Sequence, residues 1–328
     1  MIISRTPLRI SFVGGGSDIQ SYYRHNTGAV VSTAINKYIY ITVNKKFDNR
    51  IRVSYSKKTE NVDRANQVEH PLIRECLKKV GIDRGIEVTS MSDIPSEGTG
   101  LGSSSSYTVG LLNAMYAYIG KYVSAEQLAR EACEIEIDIL KSPIGKQDHY
   151  IAAYGGLQFI QFLPDESIVI NPIICSPTIK KKLERQLLLL YTGLTRSSNK
   201  ILAKQNNNMK KNVQKKDIMD KMVNLAHKMQ RMLNNNSLKD FGELLDENWL
   251  LKREMATGVT SPVIDRWYSL AKKNGAEGGK ILGAGGGGFL LLYAKKKYHD
   301  RILNSLKDLQ SHDFKFEPQG SKIIFVSE

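Results

Sequence analysis

Between residues 95 and 106 the chain reads Pro-Ser-Glu-Gly-Thr-Gly-Leu-Gly-Ser-Ser-Ser-Ser, and an apolar run of helical character follows at once. Three glycines within residues 98–102 let the backbone come close to a bulky anion. Successive backbone N–H groups and the positive end of a helix then make a phosphate cradle. The serine hydroxyls add donors and oxygen ligands for a metal. The competing account is a Ser/Gly-rich surface loop ahead of a helix, because both residues are ordinary loop punctuation. Other segments decide between the two.

A chain of 328 residues with 41% hydrophobic content can bury a sizeable core, and its length favours two domains. No run approaches the roughly 18 apolar residues of a membrane span. The first residues lack the apolar stretch of a signal peptide. Cys76, Cys133 and Cys175 are odd in number and scattered, which suggests neither a disulfide framework nor a metal knuckle and predicts a cytoplasmic location. The net charge is +14, but the lysine runs are spread along the chain without interleaved aromatics. That pattern argues against nucleic acid and suits a field that attracts anionic small substrates.

Periodicity predicts strands over 2–13, 51–55, 85–90, 187–191, 289–293 and 322–326, with a strand pair over 29–43. It predicts helices over 71–80, 107–119, 124–140, 217–233 and 299–311. Ser124 and Ser261 read as N-caps, the latter with Pro262 at the first helical position. Ser237 reads as the cap of a further helix, with Asp240 three residues on.

Three other segments offer chemistry. Arg9 to Asp18 gives one cation, the glycines Gly14, Gly15 and Gly16, and a carboxylate, directly after a strand. Arg9 suits a transferring phosphoryl group and Asp18 suits sugar hydroxyls. A glycine-rich turn with an Asp cap accounts for the same residues. Gly283 to Gly288 matches a bare G-x-G-x-x-G, but a strand follows it where a dinucleotide fingerprint needs a helix, so a tight backbone turn is the better account. Around Gly279-Lys280 the spacing of a Walker loop fails as well. Asp148, beyond the Glu-rich end at Glu134 and Glu136, could accept a hydroxyl proton. A glutamate near serine hydroxyls could hold Mg²⁺. A solvated helix face explains the glutamates equally, and His149 is more often a packing residue than a catalyst.

Taken together these loops resemble the GHMP kinase superfamily, whose three motifs occur here in order. They are Thr6-Pro-Leu-Arg-Ile-Ser-Phe-Val-Gly14, then Gly100-Leu-Gly-Ser-Ser104 preceded by Pro95, then Ile281-Leu-Gly-Ala-Gly-Gly-Gly-Gly288-Phe. The resemblance implies an α+β, two-domain GHMP kinase fold: residues 1–172 as an N-terminal domain like the second domain of ribosomal protein S5, with a left-handed βαβ unit, and 173–328 as a ferredoxin-like C-terminal domain. It implies ATP and Mg²⁺ as cofactors. Glu97, Gly98, Gly100, Leu101, Gly102, Ser103, Ser104 and Ser105 would hold the nucleotide. Ser104 and Glu136 would ligate the metal, Asp148 would act as catalytic base, and Arg9 would stabilise developing charge. The third motif would buttress the phosphate loop.

Within the superfamily, Pro7 to Asp18 with four serines after Gly102 looks closest to the D-glycero-D-manno-heptose 7-phosphate kinases. The implied reaction is phosphorylation of the anomeric C1 hydroxyl on the way to nucleotide-activated heptose. Galactokinases carry Glu and His where this chain has Gly15 and Gly16, which disfavours galactose and leaves room for a bulkier acceptor. Gly15, Gly16, Ser17 and Asp18 would face the sugar, and Arg196 would hold its phosphate. Another sugar such as fucose, or a catalytically silent sugar- and ATP-binding regulator, remains the alternative. The expected partners are ATP and a sugar phosphate, with no nucleic acid and no membrane, and a homodimer is left open.

Overall fold

The computed structural model describes residues 1–56, 58–95, 98–195 and 198–327. Its strands are β1 (Ile2–Val13), β2 (Gly28–Lys45), β3 (Ile51–Tyr55), β4 (Lys58–Val62), β5 (Ile86–Ser92), β6 (Leu157–Phe162), β7 (Ile168–Pro172), β8 (Leu187–Tyr191), β9 (Ala276–Ile281), β10 (Phe289–Ala294), β11 (Gln310–His312) and β12 (Lys322–Val326). Its helices are α1 (Gln20–Tyr23), α2 (Pro71–Val80), α3 (Ser103–Tyr118), α4 (Ala125–Cys133), α5 (Gln147–Tyr154), α6 (Pro177–Gln186), α7 (Ser198–Lys211), α8 (Val213–Asn234), α9 (Phe241–Met255), α10 (Pro262–Lys273) and α11 (His299–Ser305).

Among the described residues the strands form two sheets. The larger has eight strands, with the path β12-β1-β2-β5-β3-β4 and β6-β7 attached to β2. The smaller runs β11-β8-β10-β9. Pairing is antiparallel except between β3 and β5. The architecture is α+β, as expected. The expected boundary at 172/173 separates the two sheets except at the end of the chain, where β12 returns to pair with β1.

Pro7 sits inside β1, an unusual place for a residue without an N–H. The register of β1 on β2 shifts between Pro7 and Leu8, and the Pro7 carbonyl accepts from Ser106 Oγ at 2.9 Å. A strand pair was expected over 29–43, but β2 is one strand of 18 residues. It needs no turn because its first half pairs with β6 and its second half with β5.

α3 starts four residues before the expected Tyr107, so the serines form its first turn. It is buried along most of its length, as an all-round apolar helix must be. The helix expected over 124–140 is α4, capped by Ser124 Oγ on the Gln127 N–H at 3.2 Å, followed by a π-helical stretch over Glu134–Ile139. Ser237 does not cap α9; its N-cap is Asp240. The helix expected over 299–311 ends at Ser305, because residues 310–312 pair with β8 instead.

Phe12 at the end of β1 is fully buried and meets Phe241 of α9 edge-on, with centroids 5.3 Å apart. Such a pair adds about 0.5–1.5 kcal/mol beyond its buried area. It ties α9 to the strand that carries Arg9. Lys280 on β9 is also buried and donates to the carbonyls of Ser11 and Phe12 at 2.9 and 3.0 Å. Helix α9 and the smaller sheet are thereby fixed to the same end of β1.

Candidate active site

A cleft of about 900 Å³ opens between the two sheets. One wall is the loop 98–102 and the first turn of α3. The glycine loop 283–287 lies directly against that loop and lines the cleft with it. Pro71, Leu72, Leu140 and Ile144 give it an apolar part, and Arg9, Glu136 and Asp148 a charged part.

The loop 98–102 is held by backbone contact. Gly100 has φ +76°, and a Cβ there would lie 2.4 Å from the Leu282 carbonyl oxygen. Phe289 N–H also donates to the Thr99 carbonyl at 3.2 Å. The third glycine motif therefore buttresses the second. Gly102 is the N-cap of α3 and has no side chain to satisfy the helix's first N–H groups. Those N–H groups and the helix dipole are left for an anion.

Arg9 and Asp148 meet beside this loop. Arg9 Nε donates to Asp148 Oδ1 at 2.7 Å and Nη2 to Oδ2 at 2.6 Å. Arg9 Nη1 donates to the Gly100 carbonyl, and its backbone N–H to the Leu101 carbonyl at 3.1 Å. The guanidinium is almost wholly buried, while Asp148, in the first turn of α5, keeps some exposure.

Ser104 Oγ donates to Glu136 Oε2. Thr108 Oγ1 donates to Oε1 at 2.8 Å, and His149 Nε2 lies 3.0 Å from the same oxygen. Glu136 is carried on the π-helical stretch, a feature common at functional sites. Hydroxyl and carboxylate oxygens beside an uncapped helix end are the hard donor set that Mg²⁺ prefers when phosphates supply the remaining ligands. His149 is fully buried and contacts Glu136.

The glycine turn is outside the cleft's lining and meets the site through the start of α5. Asp18 accepts from Gly16 N–H at 3.0 Å and from Gln147 N–H at 3.1 Å, which ties the turn to the start of α5. Burial raises the Asp18 carboxyl above its usual range and the Asp148 charge adds to this, while the N–H bonds oppose. Ser17 is fully buried; its hydroxyl donates to the Ala29 carbonyl and accepts the Ala29 N–H, so it is not free for a substrate. Ser103 and Ser105 line the cleft with Ser104. Glu97 and Arg196 lie outside the described residues.

Two further side chains reach this site from α9. Asn248 Oδ1 accepts the Gly14 N–H at 3.0 Å. Lys252, one turn on, is 5% exposed. Burial pushes its ammonium down to about 8; Asp18 and Asp148 oppose that shift, and Arg9 adds to it. Neither residue stands out in the sequence, where Asn-Trp-Leu-Leu-Lys reads as an ordinary helix; an i, i+4 polar pair is the faint signal.

An uncapped helix end, a hard-oxygen pair and an Arg-held carboxylate share one cleft, an arrangement that suits phosphoryl transfer. The sequence matches the GHMP kinases N terminal domain over residues 66–156 and the GHMP kinases C terminal domain over 225–311. The chain belongs to the GHMP kinases, phosphotransferases with an alcohol group as acceptor. It is similar to the D-glycero-alpha-D-manno-heptose 7-phosphate kinase of Campylobacter jejuni, 29% identical over 340 residues, covering 98% of each chain. It is 24% identical over 315 residues to the bifunctional fucokinase/GDP-fucose pyrophosphorylase of Arabidopsis thaliana, covering 88% of this chain and 29% of that one. Among solved structures, a D-glycero-D-manno-heptose 1-phosphate kinase from Bacteroides thetaiotaomicron superposes with a TM-score of 0.81 at 23% identity, covering all of both chains. Among the described residues no helix is long and apolar enough to cross a membrane.

Proposed function

We propose that the protein transfers the γ-phosphate of ATP to the anomeric C1 hydroxyl of D-glycero-D-manno-heptose 7-phosphate. The observation that carries a transfer reaction is the Arg9–Asp148 pair beside the uncapped N-terminus of α3. Similarity along the whole chain to a heptose 7-phosphate kinase supports the acceptor. So does the turn 14–16, which offers backbone rather than bulky side chains.

In this reading the backbone of Gly98 to Gly102 and the first turn of α3 bind the phosphates. Asp148 accepts the proton of the C1 hydroxyl as its oxygen bonds the γ-phosphorus, and the bond to the β-phosphate oxygen breaks to release ADP. Arg9 holds Asp148 in place and stabilises charge on the transferring group. Ser104 and Glu136 would hold Mg²⁺, which when bound neutralises phosphate charge. Free cysteines at three buried positions suit a reducing cytoplasm.

Fucose is the second reading, favoured by similarity to a fucokinase over most of this chain. Phosphorus NMR of the products from a panel containing heptose 7-phosphate and L-fucose decides between them. A new anomeric phosphate signal with the heptose substrate is expected. Turnover of fucose alone overturns the heptose reading.

A further inference from the structure

A cluster of polar groups lies around Gly15, against the start of α5. A Cβ built on Gly15 would sit 3.4 Å from Ser11 Oγ, 3.6 Å from Gln147 Nε2 and 3.7 Å from Lys252 Nζ. Ser11 Oγ and Asn248 Nδ2 are buried and find no hydrogen-bond partner among the described residues. Lys252 is 5% exposed, and no hydrogen bond or ion pair joins it to any described residue. Its buried neighbour Lys280 differs, because two backbone carbonyls occupy its ammonium.

Buried polar groups are normally paired, and a buried ammonium without a partner is costly. The nearby charges do not supply the partner. Asp148 is held two-pronged by Arg9, and each Asp18 oxygen already accepts a backbone N–H. Ser11, Gln147 and Lys252 instead gather their donors around Gly15, next to the start of α5 that carries Asp148. Donors without acceptors call for an oxygen-rich ligand.

We propose that Lys252, carried in from α9, is a binding residue for the phosphoryl acceptor and donates hydrogen bonds to its hydroxyl oxygens beside Asp148. This deepens the kinase reading above and rests on it. Lysine suits the task, since a compact ammonium offers three donors and needs no planar partner. Asn248 positions it by anchoring α9 to Gly14 one turn earlier. The acceptor site is then complete only with α9 docked against the glycine turn.

The test measures Lys252→Met and Lys252→Arg with ATP and with whichever of heptose 7-phosphate and L-fucose the wild-type enzyme phosphorylates. For Lys252→Met the acceptor KM is expected to rise about 10- to 100-fold. The ATP KM should stay within about twofold, and the arginine variant should recover part of the loss. An unchanged acceptor KM, or parallel rises for ATP and acceptor, overturns the proposal while leaving the kinase reading intact. Wild-type turnover of neither sugar overturns both. A second measurement needs no variant: acylation of Lys252 in the native enzyme, read by mass spectrometry. The acceptor should slow it and a non-hydrolysable ATP analogue alone should not; indifference to the acceptor overturns the assignment.

Discussion

Arg9 and Asp148, 139 residues apart in sequence, share two parallel hydrogen bonds of 2.7 and 2.6 Å. This fork fixes the carboxylate's orientation before any substrate arrives. In the proposed reaction, a transferring phosphoryl group would meet a guanidinium already aligned, with little reorganisation left to do.

Replacing Asp148 by Asn removes the proposed proton acceptor but keeps the shape. Steady-state kinetics should show kcat reduced about 10²- to 10⁴-fold with the ATP KM little changed. Arg9→Lys keeps the charge and loses the fork, so kcat should fall by about 10-fold or more. Unchanged turnover in Asp148→Asn would remove that residue from the chemistry.

How much of this was legible in the sequence follows from which interactions are local. Arg9, Gly100, Ser104, Glu136 and Asp148 sit on or near short motifs whose backbone demands show in residue type. The helix starts at Pro71 and Pro262 and the cap at Ser124 were legible for the same reason. The unbroken β2 was not, because its continuity depends on two different partner strands. Lys252 and Asn248 were missed because only the docking of α9 makes them interior. The π-helical stretch under Glu136 leaves no mark in a pattern that reads equally as plain helix.

Glu136 gathers three donors, from Ser104, Thr108 and His149. Glu136→Gln keeps its volume and removes its charge. The Mg²⁺ concentration for half-maximal activity should rise about 10-fold or more. Binding of an ATP analogue in the presence of a chelator, followed by calorimetry, should hardly move. A Mg²⁺ requirement equal to wild type would take Glu136 out of the metal's ligand set.

Gly100 separates steric contact from backbone strain. An alanine there must hold φ at +76° and place its Cβ 2.4 Å from the Leu282 oxygen. Gly81, at the end of α2, has φ +82° with nothing within 4 Å. Gly81→Ala should cost about 1 kcal/mol, for strain alone, and Gly100→Ala clearly more. Thermal melts should rank them in that order, and only Gly100→Ala should raise the ATP KM. Equal melting shifts would mean that the two glycine loops do not press on each other.

Lys252 gives stability a pH dependence of defined sign. Its folded-state pKa is pushed down to about 8 from an ordinary 10.5, chiefly by burial. Between those values the unfolded chain holds the proton more tightly, so this residue's contribution to stability improves as pH rises. Below about 8 both states are charged and the burial penalty is complete, on the order of 3 kcal/mol. Lys252→Met removes that penalty and should melt several degrees higher than wild type near pH 7. The gap should narrow as pH climbs toward 10. A variant that melts lower at pH 7, or a gap that ignores pH, would show that the ammonium is not held against its own hydration. A stabilised but acceptor-blind variant is the combination expected of a residue kept for binding rather than for folding.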